Sequence, residues 1–179
     1  MEQLKNEKLT VTISAHGAEL QSIKNAEGRE YLWQGDEKYW PRRSPLLFPI
    51  VCGLWKDEYR VDGRTFNLPR HGFARDMDFE VVEKSDTSVT YTLESSPETR
   101  EVYPYDFELD VTYILNDDAI SVIWSVKNTG KQEMHFQIGG HPAFNLPGVA
   151  EGDKMHGSIL FDNVEPLTRI IGNTGGCIK

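Results

Sequence analysis

The sequence predicts an all-β protein built as a large antiparallel β-sandwich, and three observations carry that expectation. Phe107 to Leu115 and Ile120 to Val126 alternate apolar and polar side chains, the period-two pattern of a half-buried strand. Shorter runs of the same kind recur roughly every 8–12 residues with turn residues between them, the spacing of a sandwich or barrel. No segment sustains helical periodicity.

Leu9 to Ser14 is the first alternating run, and Ala18 to Ile23 is its return strand beyond Gly17. Asn25-Ala26-Glu27-Gly28 reads as a turn, followed by a short apolar strand at Tyr31-Leu32-Trp33. Asp36 to Pro41 is loop. The apolar run Ser44 to Gly53 holds Pro45 and Pro49, which offer no ladder N–H, so it reads as an edge or irregular crossing. Tyr59 to Phe66 is a hairpin turning at Asp62-Gly63. Phe79 to Lys84 and Val89 to Glu94 form another around Ser85 to Ser88. Ser96 caps, and Pro97 opens, a helical turn or two ending at Val102. After Asn128 to Lys131 a third strand, Met134 to Ile138, is expected to complete a meander whose buried face includes Trp124.

With 179 residues, 39% of them hydrophobic, the chain has enough apolar material for one core, and residues 1–179 are expected to form a single domain. A net charge of -9 disfavours nucleic acid and anionic membrane surfaces as partners. No run approaches the roughly 20 apolar residues of a spanning helix. Met1 to Lys8 lacks the apolar core of a secretory signal, which points to the cytoplasm. Cys52 and Cys177 read as two free thiols there.

Chemistry is expected where strands break. Gly139-Gly140-His141-Pro142-Ala143-Phe144-Asn145 and Leu68-Pro69-Arg70-His71-Gly72-Phe73-Ala74-Arg75 each set a histidine in a Gly/Pro interruption, where a sheet can aim an imidazole into a cleft. A loop histidine bonded to a nearby carbonyl is the plainer alternative at each. His16 and His156 read as solvated turn residues, and His135, between Met134 and Phe136, as structural. The histidines and cysteines show no metal-ligand spacing, so no metal site is expected. No phosphate loop, dinucleotide fingerprint or serine elbow is present. Trp33, Trp40, Trp55, Phe73 and Phe144 are candidate floors for a sugar ring. Arg42, Arg43, Arg70 and Arg75 are candidate donors to hydroxyls or to an anionic group.

Taken in order, Ser44-Pro45-Leu46-Leu47-Phe48-Pro49-Ile50-Val51, Asp62-Gly63, the His71 motif and the His141 motif resemble the aldose 1-epimerase (galactose mutarotase) family, and within it the LacX-like branch. The resemblance runs from about Leu9 to the end of the chain and implies the family's large antiparallel sandwich. It also implies interconversion of the α and β anomers of a hexose through the open-chain aldehyde, with no cofactor and a small-molecule sugar as partner. His141 is implied as the acid that protonates the ring oxygen, and His71 as the residue that positions or polarises it. An imidazole suits the acid role because its ordinary pKa of about 6.5 lies near working pH. Arg75, Arg43, Asn145 and Phe73 are the implied substrate contacts, with Arg43 or Arg75 replacing the family arginine where Gly53 stands. The family's glutamate base lies well beyond the second histidine motif, in a part this chain is expected to lack. A non-catalytic carbohydrate-binding module and an inactive fragment are therefore the alternatives. Uncovered strand edges are expected to drive homodimer formation.

Overall fold

Alternation in the sequence becomes strand in almost the expected order. The computed structural model describes residues 1–146 and 148–149. β1 (Glu2–Lys5), β2 (Leu9–Ile13) and β3 (Leu20–Asn25) make a three-stranded antiparallel sheet in that order. β4 (Leu46–Leu47) is the only strand in the proline-punctuated run. β5 (Glu58–Val61) and β6 (Arg64–Asn67) form the hairpin. Asp62 and Gly63 at its tip both have positive φ, 49° and 77°, as a two-residue turn matched to strand twist requires.

β7 (Glu80–Lys84), β8 (Ser88–Glu94), β9 (Phe107–Asn116) and β10 (Ala119–Asn128) form a four-stranded sheet in the order β10-β9-β8-β7. Between β8 and β9 lies the single α-helix of the described residues, α1 (Pro97–Val102). The Ser96 hydroxyl accepts from the Thr99 N–H while the Thr99 hydroxyl accepts from the Ser96 N–H, a reciprocal cap. β11 (Gly139–Gly140) pairs antiparallel with β4.

The core lies between the two larger sheets. Leu9, Val11 and Ile13 of β2 point inward, and so do Val89, Tyr91 and Leu93 of β8 with Phe107, Leu109, Val111, Tyr113 and Leu115 of β9. Burying each large aliphatic or aromatic group contributes about 1.5–3 kcal/mol, so this interface dominates stability. Two tyrosines also tie the sheets together. Tyr113 Oη donates to the Ala18 carbonyl at 2.7 Å, and Tyr91 Oη reaches the Ile13 carbonyl at 3.4 Å.

Three expectations need correction. Tyr31 to Trp33 is not a strand; Glu30 bridges Lys24 and Leu32 bridges Phe144, each as an isolated pair. Met134 to Ile138 does not extend the meander either. Its hydrogen bonds run elsewhere: Gln137 N–H donates to the Pro49 carbonyl at 2.9 Å, Val51 N–H to Gln137 Oε1 at 3.0 Å, and Tyr103 Oη to the His135 carbonyl at 2.9 Å. These bonds commit the segment to the crossing run rather than to β10. Finally, Trp124 is not core. It is 38% exposed on β10, an edge strand among the described residues, above an apolar groove of about 800 Å³ lined by Leu20, Ile23, Leu46, Val122 and Phe144.

Among the described residues no helix is long and apolar enough to cross a membrane. Because Tyr113 makes the shorter bond, Tyr113→Phe strands a buried carbonyl and is expected to cost about 1–2 kcal/mol. Tyr91→Phe is expected to cost less. Urea denaturation midpoints check the order; equal midpoints for the two variants would contradict it.

Candidate functional site

The site is assembled on the run from Arg43 to Cys52, which is hydrogen-bonded on two flanks. On one flank β11 pairs with β4, and the contact continues past the strand. His141 N–H donates to the Pro45 carbonyl at 3.1 Å, and Ala143 N–H to the Arg43 carbonyl at 2.9 Å. On the other flank Phe48 forms a parallel bridge with Gly72, and its carbonyl accepts from the N–H groups of Phe73 and Ala74 at 3.0 and 3.2 Å. Gly72 is required here. Its φ is +72°, and a Cβ would fall 2.2 Å from the Phe48 carbonyl oxygen.

The two histidine motifs thereby meet. The His71 and His141 ring centroids lie 6.2 Å apart with the rings inclined at 62°. His141 is exposed, and its ring also packs on Trp40 with centroids 5.0 Å apart. Trp33 Nε1 donates to the Trp40 carbonyl at 2.8 Å and anchors that loop.

His71 is held far more tightly than sequence reasoning implies. Its backbone is left-handed, with φ +69°, and so is that of Cys52, also +69°. The two are bonded reciprocally: His71 N–H donates to the Cys52 carbonyl at 2.9 Å, and Cys52 N–H donates to His71 Nδ1 at 3.0 Å. A backbone N–H can only donate, so Nδ1 must carry the lone pair, which leaves Nε2–H as the ring's donor. Burial pushes the His71 pKa below the ordinary histidine value, and the charges of Arg75, His141, Arg70 and Arg42 push it the same way.

The guanidiniums form a linked group beside it. Arg42 Nη2 contacts Asp76 Oδ1 at 2.7 Å, and Arg75 Nε lies 3.5 Å from Asp76 Oδ2. Arg75 Nη2 donates to the Arg70 carbonyl at 2.8 Å. Arg75 Nε is shut off from solvent and makes no hydrogen bond; burial, then the Arg42 charge, pull its pKa below the usual arginine range.

The other expected contacts have structural commitments. Arg43 Nη1 donates to Gln21 Oε1 at 2.9 Å, while the N–H groups of Arg43 and Ser44 both donate to Glu19 Oε1. Asn145 Nδ2 donates to the Leu32 carbonyl at 2.9 Å. Phe73 turns its ring into the aromatic core, 6.3 Å from Phe48 and 6.1 Å from Phe107. Of the implied set, the structure therefore brings His71, His141 and Arg75 together, with Trp40 and Arg42 beside them. His16 is paired with Asp78 at 2.8 Å in solvent, His135 is exposed, and His156 and Cys177 lie outside the described residues. Among the described residues, no three His, Cys, Asp or Glu side chains gather as a metal site would require. Cys52 and Asp76 carry no signal in the sequence, because one acts through its backbone and the other through a partner distant in the chain.

The sandwich with two histidines at the broken ends of its strands can be placed by comparison with known proteins. The model of the aldose 1-epimerase family matches residues 2–160, and the chain belongs to that family. It is 42% identical over 171 residues to the chromosomal protein LacX of Lactococcus lactis subsp. lactis, a match covering 91% of this chain and 56% of LacX. Among solved structures it is similar to a galactose mutarotase related enzyme from Lactobacillus acidophilus, with 44% identity, a TM-score of 0.82, and coverage of 86% of this chain and 51% of that one. A galactose mutarotase-like protein from Lactobacillus casei ATCC 334 gives 42%, 0.81, 85% and 52%. The chain thus spans about half the length of these relatives.

The His71 assignment has a pH consequence. With its pKa depressed by folding, the unfolded chain binds the extra proton. Neutral His71 therefore contributes its full stability above the ordinary histidine pKa of about 6.5, and that contribution is lost as pH falls through the folded-state value. Long-range ¹H–¹⁵N spectra are expected to show His71 protonated on Nε2 at neutral pH and titrating below that ordinary value. An Nδ1–H tautomer would sink the assignment.

Proposed function

We propose that the histidine pair serves an aldose 1-epimerase reaction on a hexose. The observation that carries this reading is the convergence of His71 and His141, their rings 6.2 Å apart, with one of them locked as a neutral donor. Ring opening breaks C1–O5, so O5 must gain a proton while the C1 hydroxyl loses one. His141, the exposed ring, is the acid at O5, and solvent water takes the C1 hydroxyl proton unless the implied glutamate base beyond the second histidine motif is supplied. His71 Nε2–H donates a hydrogen bond to O5 as well, without needing to ionise. The open aldehyde rotates about C1–C2 and closes on the other face, and the oxidation level does not change, so the reaction calls for no redox cofactor. Arg75 contributes charge and a donor at the edge of the cleft, and Trp40 supports His141 from behind.

A second reading is favoured by one fact: the chain spans about half of its relatives' length, and the implied glutamate base lies beyond the second histidine motif. On that reading these residues bind a sugar without turning it over.

Polarimetry of freshly dissolved α-D-galactose and α-D-glucose separates the two. The epimerase reading expects acceleration over buffer and a loss of about 100-fold or more in His141→Ala, the usual contribution of a general acid. No acceleration, with heat of sugar binding still seen in calorimetry, selects the binding module. Neither signal rejects both readings.

We further place the protein in the cytoplasm and propose that it dimerises through β10. That strand has a free edge among the described residues and leaves Val122, Ile123 and Trp124 exposed; the opposite edge, β7, also exposes Val81 and Val82 but sets them among Glu80, Glu83 and Lys84. Light scattering is expected to give twice the monomer mass at micromolar concentration; a monomer throughout would refute the dimer.

A further inference from the structure

His141 hangs on the start of the crossing run by backbone bonds: its own N–H donates to the Pro45 carbonyl at 3.1 Å, and Ala143 N–H to the Arg43 carbonyl at 2.9 Å. Whatever fixes Arg43 to Pro45 therefore fixes the ring. Pro45 has no N–H, so Arg43 and Ser44 carry the backbone donors of this stretch, and each needs an acceptor. One side-chain oxygen serves both. Glu19 Oε1 accepts from Arg43 N–H at 3.0 Å and from Ser44 N–H at 2.8 Å. A carboxylate is the stronger kind of acceptor for such donors.

Glu19 is itself rigidly placed. Its carbonyl accepts from Ser14 N–H at 2.9 Å, Tyr113 Oη holds the preceding carbonyl of Ala18 at 2.7 Å, and the next residue, Leu20, opens β3. The side chain is braced as well. Gln21 Nε2 donates to Glu19 Oε2 at 3.3 Å, while Gln21 Oε1 accepts from Arg43 Nη1 at 2.9 Å. The Arg43 backbone, Glu19, Gln21 and the Arg43 guanidinium thus close a ring of hydrogen bonds. Through it the sheet β1-β2-β3 reaches the Arg43–Pro45 backbone by way of one half-buried carboxylate, and across that backbone it reaches His141.

We infer that Glu19 is a positioning residue for His141: it fixes the backbone from which the His141 segment hangs, and so sets where the ring stands beside His71 and Trp40. Its bearing on catalysis rests on the proposed epimerase reading; its bearing on geometry does not. Support of this kind matters because a small misplacement of a reacting group is costly in rate.

Two conservative variants test it. Glu19→Asp keeps the charge but draws the carboxylate back by a methylene, away from both donors. Glu19→Gln gives up the charge but keeps a carbonyl oxygen where both can reach it. Positioning therefore expects Glu19→Asp to disturb the site more than Glu19→Gln, whereas a role for charge alone expects the reverse. The first readout is NMR of the whole chain without sugar. Trp40 lies 5.0 Å from the His141 ring, so the His141 ring protons carry a ring-current shift. In Glu19→Asp that shift is expected to change, and amide exchange at His141 and Ala143 to quicken about tenfold or more, the scale of losing charge-assisted bonds. Ser96→Ala, a destabilising change whose lost bonds lie within α1, is expected to leave the His141 ring signals where they are. The second readout is polarimetry with α-D-galactose. Glu19→Asp is expected to lower kcat about tenfold or more while KM stays within about twofold, with Glu19→Gln recovering most of the rate. Unmoved His141 signals in Glu19→Asp, or a larger change in Glu19→Gln, overturn the inference. Signals that move while kcat holds overturn it too, since the place of the ring would then not matter to the reaction. If the signals move and the unaltered chain shows no mutarotation, the positioning stands and the epimerase reading falls.

Discussion

Both histidines owe their positions to one short stretch of backbone, the run from Arg43 to Cys52. It has too many prolines to be a central strand, yet it is hydrogen-bonded on both flanks. β11 lies along its first half and delivers His141. The Gly72 bridge and the reciprocal His71–Cys52 bonds lie along its second half and deliver His71. An irregular segment can act as a template in this way because every polar backbone group inside a protein must find a partner. If the ladder does not supply one, the loops must. The positive φ values at Cys52, His71 and Gly72 follow from that demand, and they are tolerated because the surrounding bonds over-determine them.

The same stretch separates the electrostatic roles of the two rings. His71 is half-buried, pinned through Nδ1 and crowded by cations, so its neutral form is the favoured one. His141 is exposed and packs against an aromatic ring. Two chemically identical side chains thus receive different environments within one cleft. The guanidiniums strengthen the split, since each cation near His71 raises the cost of protonating it.

How much of this was legible in the sequence depended on range. The hairpin at Asp62-Gly63, the cap at Ser96-Pro97 and the long pair β9–β10 were readable because turn chemistry and period-two alternation act over a few residues. Tyr31 to Trp33 and Met134 to Ile138 look like strands by composition, but their partners were taken by other segments, and no local pattern reveals that competition. The histidine motifs were visible as breaks, whereas the Cys52 clamp on His71 was not, because a backbone N–H leaves no mark on residue identity. Arg43 and Asn145 were plausible sugar donors by type. Their bonds to Gln21 and to the Leu32 carbonyl were set by neighbours far along the chain.

Trp124 shows how an error of the same origin bears on the site. Alternation alone placed it in the core, but among the described residues β10 is an edge strand and its apolar face looks across a groove. Side chains alternate along an extended segment, so Gly140 and Pro142 line that groove while His141, between them, faces the cleft. The segment is a wall common to both. Its groove side is in close contact: a Cβ on Gly140 would lie 3.2 Å from Cζ2 of Trp124, so the indole presses directly on backbone. On the cleft side Trp40 presses on the His141 ring. His141 is therefore held between two tryptophans, one through its own ring and one through the residue before it. The packing of the groove and the position of the His141 ring are for that reason a single mechanical problem.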